Sequence, residues 1–426
     1  MVDAANGLAP PAALTSFVGR AHEFAALSAL VASDRVVSIL GPGGSGKSRL
    51  AWELVGRRHE RGGAWCFTEL IDDVTSAAQV AERVAAALAL PVGAGQDALA
   101  ELCARLRDQD VLVTLDGCER AVEPIAQVVA RLAASCPAVT FLVTSREPLL
   151  VAGETLYRLP PMTLPQPADL ADPQAVATCD AVALFLVRSP RAPESLSHAD
   201  GLLVAEICLE LDGAPLAIEL AAACLDHVEL VDVARGLSDR FALLSRGPRG
   251  APARHCTIAA CIDWTHDLLG EPDRSVFRRL SVSAGPFGLA AATAVAGWSA
   301  LDDSAVTAAV SRLVDRSLVE RAPAAPDGTA RYRLLTTLRA YGQRELDSAG
   351  ERTVTSEAHL SWWGGLGRDA RDALEGADAQ DWLARLRYAA DAGEWAAGAD
   401  LITALTLFWH GAGLHREGLR HAQRTR

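Results

Sequence analysis

The sequence predicts an α/β domain with a parallel sheet and helices on both faces, followed by a second half that is almost wholly helical. Up to about residue 160, short apolar runs alternate with Ala-rich helical stretches, as the crossover connections of a parallel sheet require. From about residue 173 the apolar residues recur at helical spacing instead. Half of the 426 residues are hydrophobic, which is enough to fill the cores of about three domains.

The elements of the α/β domain follow from these runs. Strands are predicted at 35–40, 64–69, 111–115, 139–144 and 155–159. Helices are predicted between them, near 46–60, 76–89, 97–107 and 119–134. A Pro-rich connector at 160–167 ends this domain, and a loop of Arg, Gly and Pro at 246–252 ends the helical segment that follows.

The rest of the chain is predicted to hold a winged helix and a helical tail. Several helices precede two short strands, Ser317–Glu320 and Arg331–Leu334, around a Pro/Gly-rich tip. Helical pattern still continues at Arg426, so we expect the chain to be truncated. The predicted domains are an α/β domain at 1–165, an all-helical domain at 170–245, a winged-helix-like domain at 255–350 and the start of a tetratricopeptide-like array at 352–426.

Composition narrows the functional classes. The nine cysteines are scattered without a C-x-x-C pair, which disfavours disulfide frameworks and zinc sites. No apolar run approaches the ~20 residues of a membrane span, and no basic signal segment opens the chain, so we expect a cytoplasmic protein without a membrane partner. The net charge of -13 argues against a large nucleic-acid footprint.

The most specific motif is the segment Gly41–Ser48, which reads Gly-Pro-Gly-Gly-Ser-Gly-Lys-Ser and contains the only lysine of the chain, Lys47. A strand precedes it and a helix follows, which is the context of a phosphate loop in an α/β phosphate-loop NTPase. The lysine reaches the phosphates, and Ser48 offers a hydroxyl to Mg²⁺. The residues assigned to phosphate binding are Gly41, Gly43, Gly44, Ser45, Gly46, Lys47, Ser48 and Arg49.

Polar residues at the ends of two other strands complete the predicted site. Asp116 ends the strand that begins at Val111 and is expected to hold Mg²⁺, although a turn Asp before Gly117 is the alternative. Because Gly117 supplies no acid beside Asp116, we expect slow hydrolysis. Glu119 is either a catalytic base or a residue that favours the helix dipole. Arg146 is either a sensor of the γ-phosphate or an ordinary surface arginine.

The order of these motifs resembles the NB-ARC branch of the STAND signal-transduction ATPases, and within it the large bacterial transcriptional regulators. The resemblance covers about 14–350 and includes Phe-Val-Gly-Arg before the phosphate loop and Gly-Ala-Pro-Leu at 213–216. The segments Arg254–Trp264 and Arg331–Tyr341 also resemble signatures of the bacterial group.

The resemblance implies further residue roles. Val18 and Arg20 would lie by the adenine and ribose, Pro215 would pack on the adenine, and Arg146 would sense the γ-phosphate. Many members carry Met-His-Asp near the winged-helix hairpin, and the His contacts ADP. This chain has Leu334–Thr336 there, so that lock is absent or different.

The resulting functional prediction is an ATP/ADP switch, the core of a signal-responsive transcriptional regulator with weak ATPase activity. ATP with Mg²⁺ is expected to promote homo-oligomerisation, a signal ligand or protein is expected on the C-terminal helices, and DNA is expected to be bound only by an output domain outside this chain. One alternative is a turnover ATPase or kinase. A second alternative is DNA binding by the winged helix through Arg312, Arg316, Arg331 and Arg333.

Overall fold

The structure of the chain is a computed structural model. It describes residues 15–365 except 71–73, 92–96, 167, 170–171, 191–196, 238–240, 242–243, 245–256, 284 and 325–327. The chain forms two compact units, residues 1–261 and 262–426.

The first unit is built on a five-stranded sheet in which every paired strand is parallel. Its strands are β1 (Val36–Leu40), β2 (Ala64–Glu69), β3 (Val111–Asp116), β4 (Thr140–Ser145) and β5 (Glu154–Arg158). Each predicted strand is confirmed to within one residue at either end. The spatial order is β2-β3-β4-β1-β5, so β4 lies between β1 and β3. Every residue of β1 and of β3 is buried, which explains their unbroken apolar runs.

Helices cover both faces of this sheet. They are α1 (Ala21–Ser33), α2 (Lys47–Glu60), α3 (Ala77–Ala87), α4 (Ala98–Leu106) and α5 (Val122–Ser135). Ser76 and Asp97 begin α3 and α4 by accepting hydrogen bonds from backbone N–H groups of the first turn. One core packs α3, α4 and α5 on the sheet, and a second packs α1 and α2 on the other face. The predicted α/β fold class is therefore confirmed.

The helical part of the first unit follows the Pro-rich connector. Its helices are α6 (Pro173–Thr178), α7 (Asp180–Arg188), α8 (His198–Glu210), α9 (Pro215–Cys224) and α10 (Leu230–Gly236). The turn before α9 is fixed to the connector, because the Met162 N–H donates to the Gly213 carbonyl over 3.0 Å. Gly213 has a φ of 63°, and an added Cβ would lie 2.6 Å from the Met162 carbonyl oxygen, so only glycine fits this approach.

The second unit contains the predicted hairpin among helices. After α11 (Ile258–His266), which crosses the boundary between the units, come α12 (Glu271–Leu280), α13 (Leu289–Ala296) and α14 (Asp303–Asp315). The antiparallel strands β6 (Glu320–Ala322) and β7 (Arg331–Arg333) precede α15 (Thr336–Ser348) and α16 (Arg352–Gly365). Phe277 and Tyr341 lie in its core. The helices and hairpin agree with the predicted winged helix, but the first strand begins at Glu320 and not at Ser317 as predicted.

An ionic cluster joins α12 to the start of α16. Arg278 and Arg279 both bond the Glu351 carboxylate, and the guanidinium of Arg279 lies 3.5 Å from the centre of the Trp298 ring. Burial opposes ionisation of Glu351, but the hydrogen bonds from the two arginines win and lower its pKa to about 2. Since the charges satisfy one another, the cluster is a structural feature of this unit.

Several predictions lie outside the described residues. They are the loop at 246–252, the signature residues Arg254, His255 and Cys256, and the helical tail beyond residue 365. Within the part that the structure does describe, no helix has the length and apolar character that crossing a membrane requires.

Candidate nucleotide-binding site

The phosphate loop lies between β1 and α2 and takes a shape that needs glycine. Gly44 and Gly46 have φ angles of 74° and 91°, in the left-handed region that other residues avoid. The loop is also covered by α9, because the Leu216 N–H donates to the Gly44 carbonyl over 3.2 Å. A Cβ on Gly44 would lie 2.8 Å from the Leu216 side chain. The loop and the helical part are therefore closely packed.

Lys47 is buried at the start of α2. Its ammonium donates to the carbonyls of Gly41, over 2.8 Å, and Pro42, over 2.9 Å. Burial lowers the pKa of Lys47 to about 8, and the positive charge of Arg146 also lowers it, while the negative charge of Glu119 opposes the shift. The lysine thus uses the loop's own carbonyls as partners, and its charge is costly to keep.

Asp116 lies at the carboxyl end of β3 and is also buried. Its carboxylate accepts a hydrogen bond from the Thr144 hydroxyl, which in turn accepts from the Gly117 N–H over 3.0 Å. Burial raises the pKa of Asp116, and hydrogen bonds from Thr144 and Ser48 oppose the rise. Asp116 and Ser48 are therefore neighbours, and their oxygens are the kind that Mg²⁺ prefers.

Arg146 follows β4 and pairs with Glu119. The guanidinium Nε lies 3.2 Å from the Glu119 carboxylate, and both side chains are largely buried. A Cβ on Gly43 would lie 3.0 Å from the Arg146 guanidinium, so the arginine lies against the phosphate loop. Glu119 belongs to a 3₁₀ turn, Cys118–Arg120, and not to α5. The placement is that of a residue at the site and not of an ordinary surface arginine.

These residues meet in a cavity of about 530 Å³ within the first unit. The predicted site residues that line it are Val18, Arg20, Gly43, Gly44, Ser45, Gly46, Lys47, Ser48, Arg49, Asp116, Glu119, Arg146 and Pro215. Gly41 does not line the cavity, but its carbonyl accepts a hydrogen bond from the Lys47 ammonium. The sequence therefore identified residues that the fold brings together, although their roles stay predictions.

Arg20 contacts protein on every side. Its guanidinium donates to the carbonyls of Pro160 and Ser45, and it pairs with Glu23 over 3.4 Å. Its own N–H donates to the Asp180 carboxylate over 2.9 Å. Desolvation lowers the pKa of Arg20, and the carboxylates of Glu23 and Asp180 oppose that shift. Arg20 thus ties the phosphate loop to the connector and to α7.

A strap, defined as residues Thr15–Arg20, forms one wall of the cavity. Its carbonyls accept hydrogen bonds from Arg49 at Thr15 and from Arg188 at Ser16, the latter over 2.7 Å. Arg188 also bonds the Glu219 carboxylate over 2.8 Å. Sequence reasoning gave no role to Asp180, Arg188 or Glu219, because each acts through a partner that is distant along the chain and no local pattern marks it.

The four arginines considered for DNA binding all make contacts within the second unit. Arg312 pairs with Asp273 over 2.6 Å, and Arg333 pairs with Glu320 over 3.2 Å. Arg316 donates to the Leu268 carbonyl, and Arg331 donates to the Pro286 carbonyl. Two of the four arginines are thus paired with carboxylates, and the other two donate to backbone carbonyls.

Comparison with known proteins gives the family. The family described as a winged helix-turn-helix domain matches residues 269–347. The protein named "Putative HTH-type transcriptional regulator Rv0890c" of Mycobacterium tuberculosis is 36% identical over 407 residues, which are 92% of this chain and 44% of that protein. The uncharacterized protein Rv0894 of the same organism is 37% identical over 343 residues, 79% of this chain and 83% of its own length. This chain belongs to their family.

The fold comparison agrees. The Walker-type ATPase paby2304 of Pyrococcus abyssi matches with a TM-score of 0.50 at 11% identity, over 79% of this chain and 100% of that structure. The predicted phosphate-loop NTPase fold, followed by a winged helix, is therefore confirmed. The chain spans less than half the length of Rv0890c.

Proposed function

We propose that the chain is an ATP/ADP-dependent switch that forms the core of a transcriptional regulator. The observation that carries this proposal is the meeting of Lys47, Asp116 and Arg146 in one cavity. Each lies at the carboxyl end of a different strand, β1, β3 or β4, and ligands of open parallel sheets bind at such ends. The names of the relatives, which describe HTH-type regulators, support the transcriptional part.

The residues suggest how the phosphates are held. Backbone N–H groups of the loop and the Lys47 ammonium bind the β- and γ-phosphates, and the Lys47 ammonium leaves the carbonyls of Gly41 and Pro42 to do so. Ser48 and Asp116 would hold Mg²⁺, which neutralises phosphate charge when bound. Mg²⁺ is usually bound by one or two protein oxygens together with phosphate oxygens and waters, so Ser48 and Asp116 would be enough.

The pair of Arg146 and Glu119 suggests how ATP is distinguished from ADP. Without a γ-phosphate, the Glu119 carboxylate is the anion that neutralises Arg146. A γ-phosphate competes for the same guanidinium, and a charge-assisted bond to it would release Glu119. Such a device shifts the equilibrium between two conformations only if a nucleotide binds one conformation more tightly than the other.

Slow hydrolysis is part of the proposal. Gly117 places no acid beside Asp116, so no carboxylate directly follows the proposed metal-binding acid to orient water. We expect turnover far below the ~10 s⁻¹ of a typical enzyme. The alternative, a kinase or turnover ATPase, is separated by measuring phosphate release with and without candidate acceptors. Many turnovers per second without any partner would favour that alternative.

The direct test is nucleotide binding by Lys47→Ala. We expect ATP and ADP to raise the melting temperature of the unaltered chain, since a ligand at 100 times its Kd stabilises by ~2.7 kcal/mol. Lys47→Ala should nearly abolish the shift with ATP. Arg61→Ala, an exposed residue just after α2, is the matched control and should behave as the unaltered chain. If the melting temperature of the unaltered chain is the same with and without saturating Mg-ATP, the proposal of nucleotide binding is wrong.

A further inference from the structure

Helix α9 runs along the cavity away from the phosphate loop. Its first turn touches the loop, where the Leu216 N–H bonds Gly44 and an added Cβ on Gly46 would lie 3.7 Å from the Pro215 ring. The residues of α9 that line the cavity recur at helical spacing on one face. They are Pro215, Leu216, Glu219, Leu220 and Ala223.

The position of Glu219 along this face is about one helical turn from the phosphate loop. A helix rises ~1.5 Å per residue, so Glu219 lies about one turn beyond the contact with the loop and Ala223 about two turns beyond it. In a nucleotide the sugar lies between the phosphates and the base. Apolar residues suited to a base line the same cavity, namely Phe17, Val18, Leu184, Leu220 and Ala223. With the phosphates on the loop, the sugar would come to Glu219, and Pro215 would lie nearer the phosphates than the adenine position that the resemblance implied.

The Glu219 carboxylate is held in place and still has an oxygen to offer. Oε1 accepts from Arg188 Nε over 2.8 Å, and Arg188 is fixed in turn by the Ser16 carbonyl of the strap over 2.7 Å. Among the described residues Oε2 has no partner, and the side chain remains 41% exposed. An ionised carboxylate only accepts hydrogen bonds, and sugar hydroxyls donate them.

We propose that Glu219, positioned by Arg188, binds the ribose hydroxyls and makes the site selective for ribonucleotides over deoxyribonucleotides. The inference rests on the proposed nucleotide binding and adds the sugar to it. Acidic side chains read ribose hydroxyls in dinucleotide-binding folds, so the chemistry has precedent. A site built to bond a hydroxyl rejects an analogue that lacks it.

The test compares ATP, 2′-deoxy-ATP and 3′-deoxy-ATP by calorimetry on the full chain. We expect the unaltered chain to bind ATP about tenfold or more tightly than at least one deoxynucleotide, the value of one hydrogen bond to a charged group. Glu219→Gln should lose most of that preference. Removing a negative charge near the phosphates could raise the affinity for all three ligands by the same factor. The quantity to compare is therefore the ratio of the ATP affinity to each deoxynucleotide affinity.

Two further variants sharpen the result. Glu219→Asp keeps the charge but withdraws the carboxylate by one methylene, and it should also lose the preference. Glu206→Gln, on the exposed face of α8, should keep it. If the unaltered chain binds all three ligands with equal affinity, the ribose assignment is wrong and nucleotide binding still stands. The same conclusion follows if Glu219→Gln keeps the preference for ATP. Absence of binding by any of them would overturn both.

Discussion

Lys47 carries its charge in a place where charge is costly. Burial lowers its pKa to about 8 from the ordinary 10.5, and its ammonium donates to the backbone carbonyls of Gly41 and Pro42. In the unfolded chain the pKa returns to 10.5, so the unfolded state binds more protons between these values. The contribution of this group to the free energy of unfolding of the ligand-free protein therefore rises as the pH increases from about 8 to 10.5.

Nucleotide binding should have the opposite effect on this lysine. Phosphates favour the ammonium form, so ATP should raise the pKa of Lys47, and binding at pH 8.5 to 9 should take up protons. ATP affinity should fall as the pH rises above about 8. Calorimetry in buffers of different ionisation enthalpy measures this proton uptake. The pH range of the experiment lies well above the pKa of the terminal phosphate, near ~6, so phosphate titration does not contribute. Lys47→Arg is the control, since a guanidinium does not titrate there, and a proton uptake that persists in it would assign the effect elsewhere.

A functional residue could be predicted from the sequence when its partners are close along the chain, and not when they are distant. Lys47 and Ser48 were predictable because the motif is contiguous, and Asp116 and Arg146 because each ends an apolar strand. Asp180 and Arg188 were not, since they bond Arg20 and Ser16 across separations of 160 and 172 residues. The pairing of Glu119 with Arg146 was missed for the same reason. The sequence indicated the strands, and the strand that precedes Arg146 was expected beside the phosphate-loop strand, as the pairing of β4 with β1 confirms.

At the scale of elements, the strap and α7 are joined through Asp180. Its carboxylate accepts the Arg20 N–H, and its own N–H donates to the Thr163 hydroxyl of the connector over 2.9 Å. Gly19 is pressed so closely against it that a Cβ would lie 2.5 Å from the Asp180 carboxyl carbon. One residue thus fixes three segments around the cavity.

Asp180→Ala should therefore weaken ATP and ADP alike. The strap loses the hydrogen bond from the Arg20 N–H to a charged carboxylate. The free energy of such a bond corresponds to about a tenfold loss of nucleotide affinity. Because Asp180 makes no contact with the γ-phosphate in this proposal, ATP and ADP should be affected equally. Calorimetry with both nucleotides measures the effect. Asp232→Ala removes an exposed ion pair with Arg235 on α10 and should change nothing, because such pairs contribute little. Selective loss of ATP alone in Asp180→Ala would argue that the strap senses the terminal phosphate.

The strands were predicted more accurately than the helical half. Buried parallel strands have unbroken apolar runs with polar residues at both ends, which fixes their limits. Helices α6 to α10 share their apolar faces with one another, so the periodicity indicated helix without showing where each one ends. Ser197 caps the start of α8 by accepting a hydrogen bond from the Asp200 N–H. Such a cap identifies the first residue of a helix only once the position of its first turn is known.

At the scale of the whole molecule, the proposed switch predicts a change of assembly. ATP should increase the average mass in solution and ADP should not, as measured by light scattering at equal protein concentration. Arg146→Ala should abolish this response and weaken ATP by roughly ten- to a hundredfold while sparing ADP. The exposed Arg131→Ala is the control. Equal losses of affinity for both nucleotides would make Arg146 a structural residue, and the sensor role would be withdrawn.

The position of β1 inside the sheet also governs when the protein becomes competent during synthesis. Val36 pairs with Phe141 on one side and with Glu154 on the other, so both neighbours of β1 are translated long after it. Pairings between distant segments form slowly, because the intervening chain must be ordered first. On the ribosome, β1 therefore has no strand of this sheet to pair with until β4 emerges, and its second neighbour follows only with β5. A nascent chain that ends after β3 has the complete motif and no site.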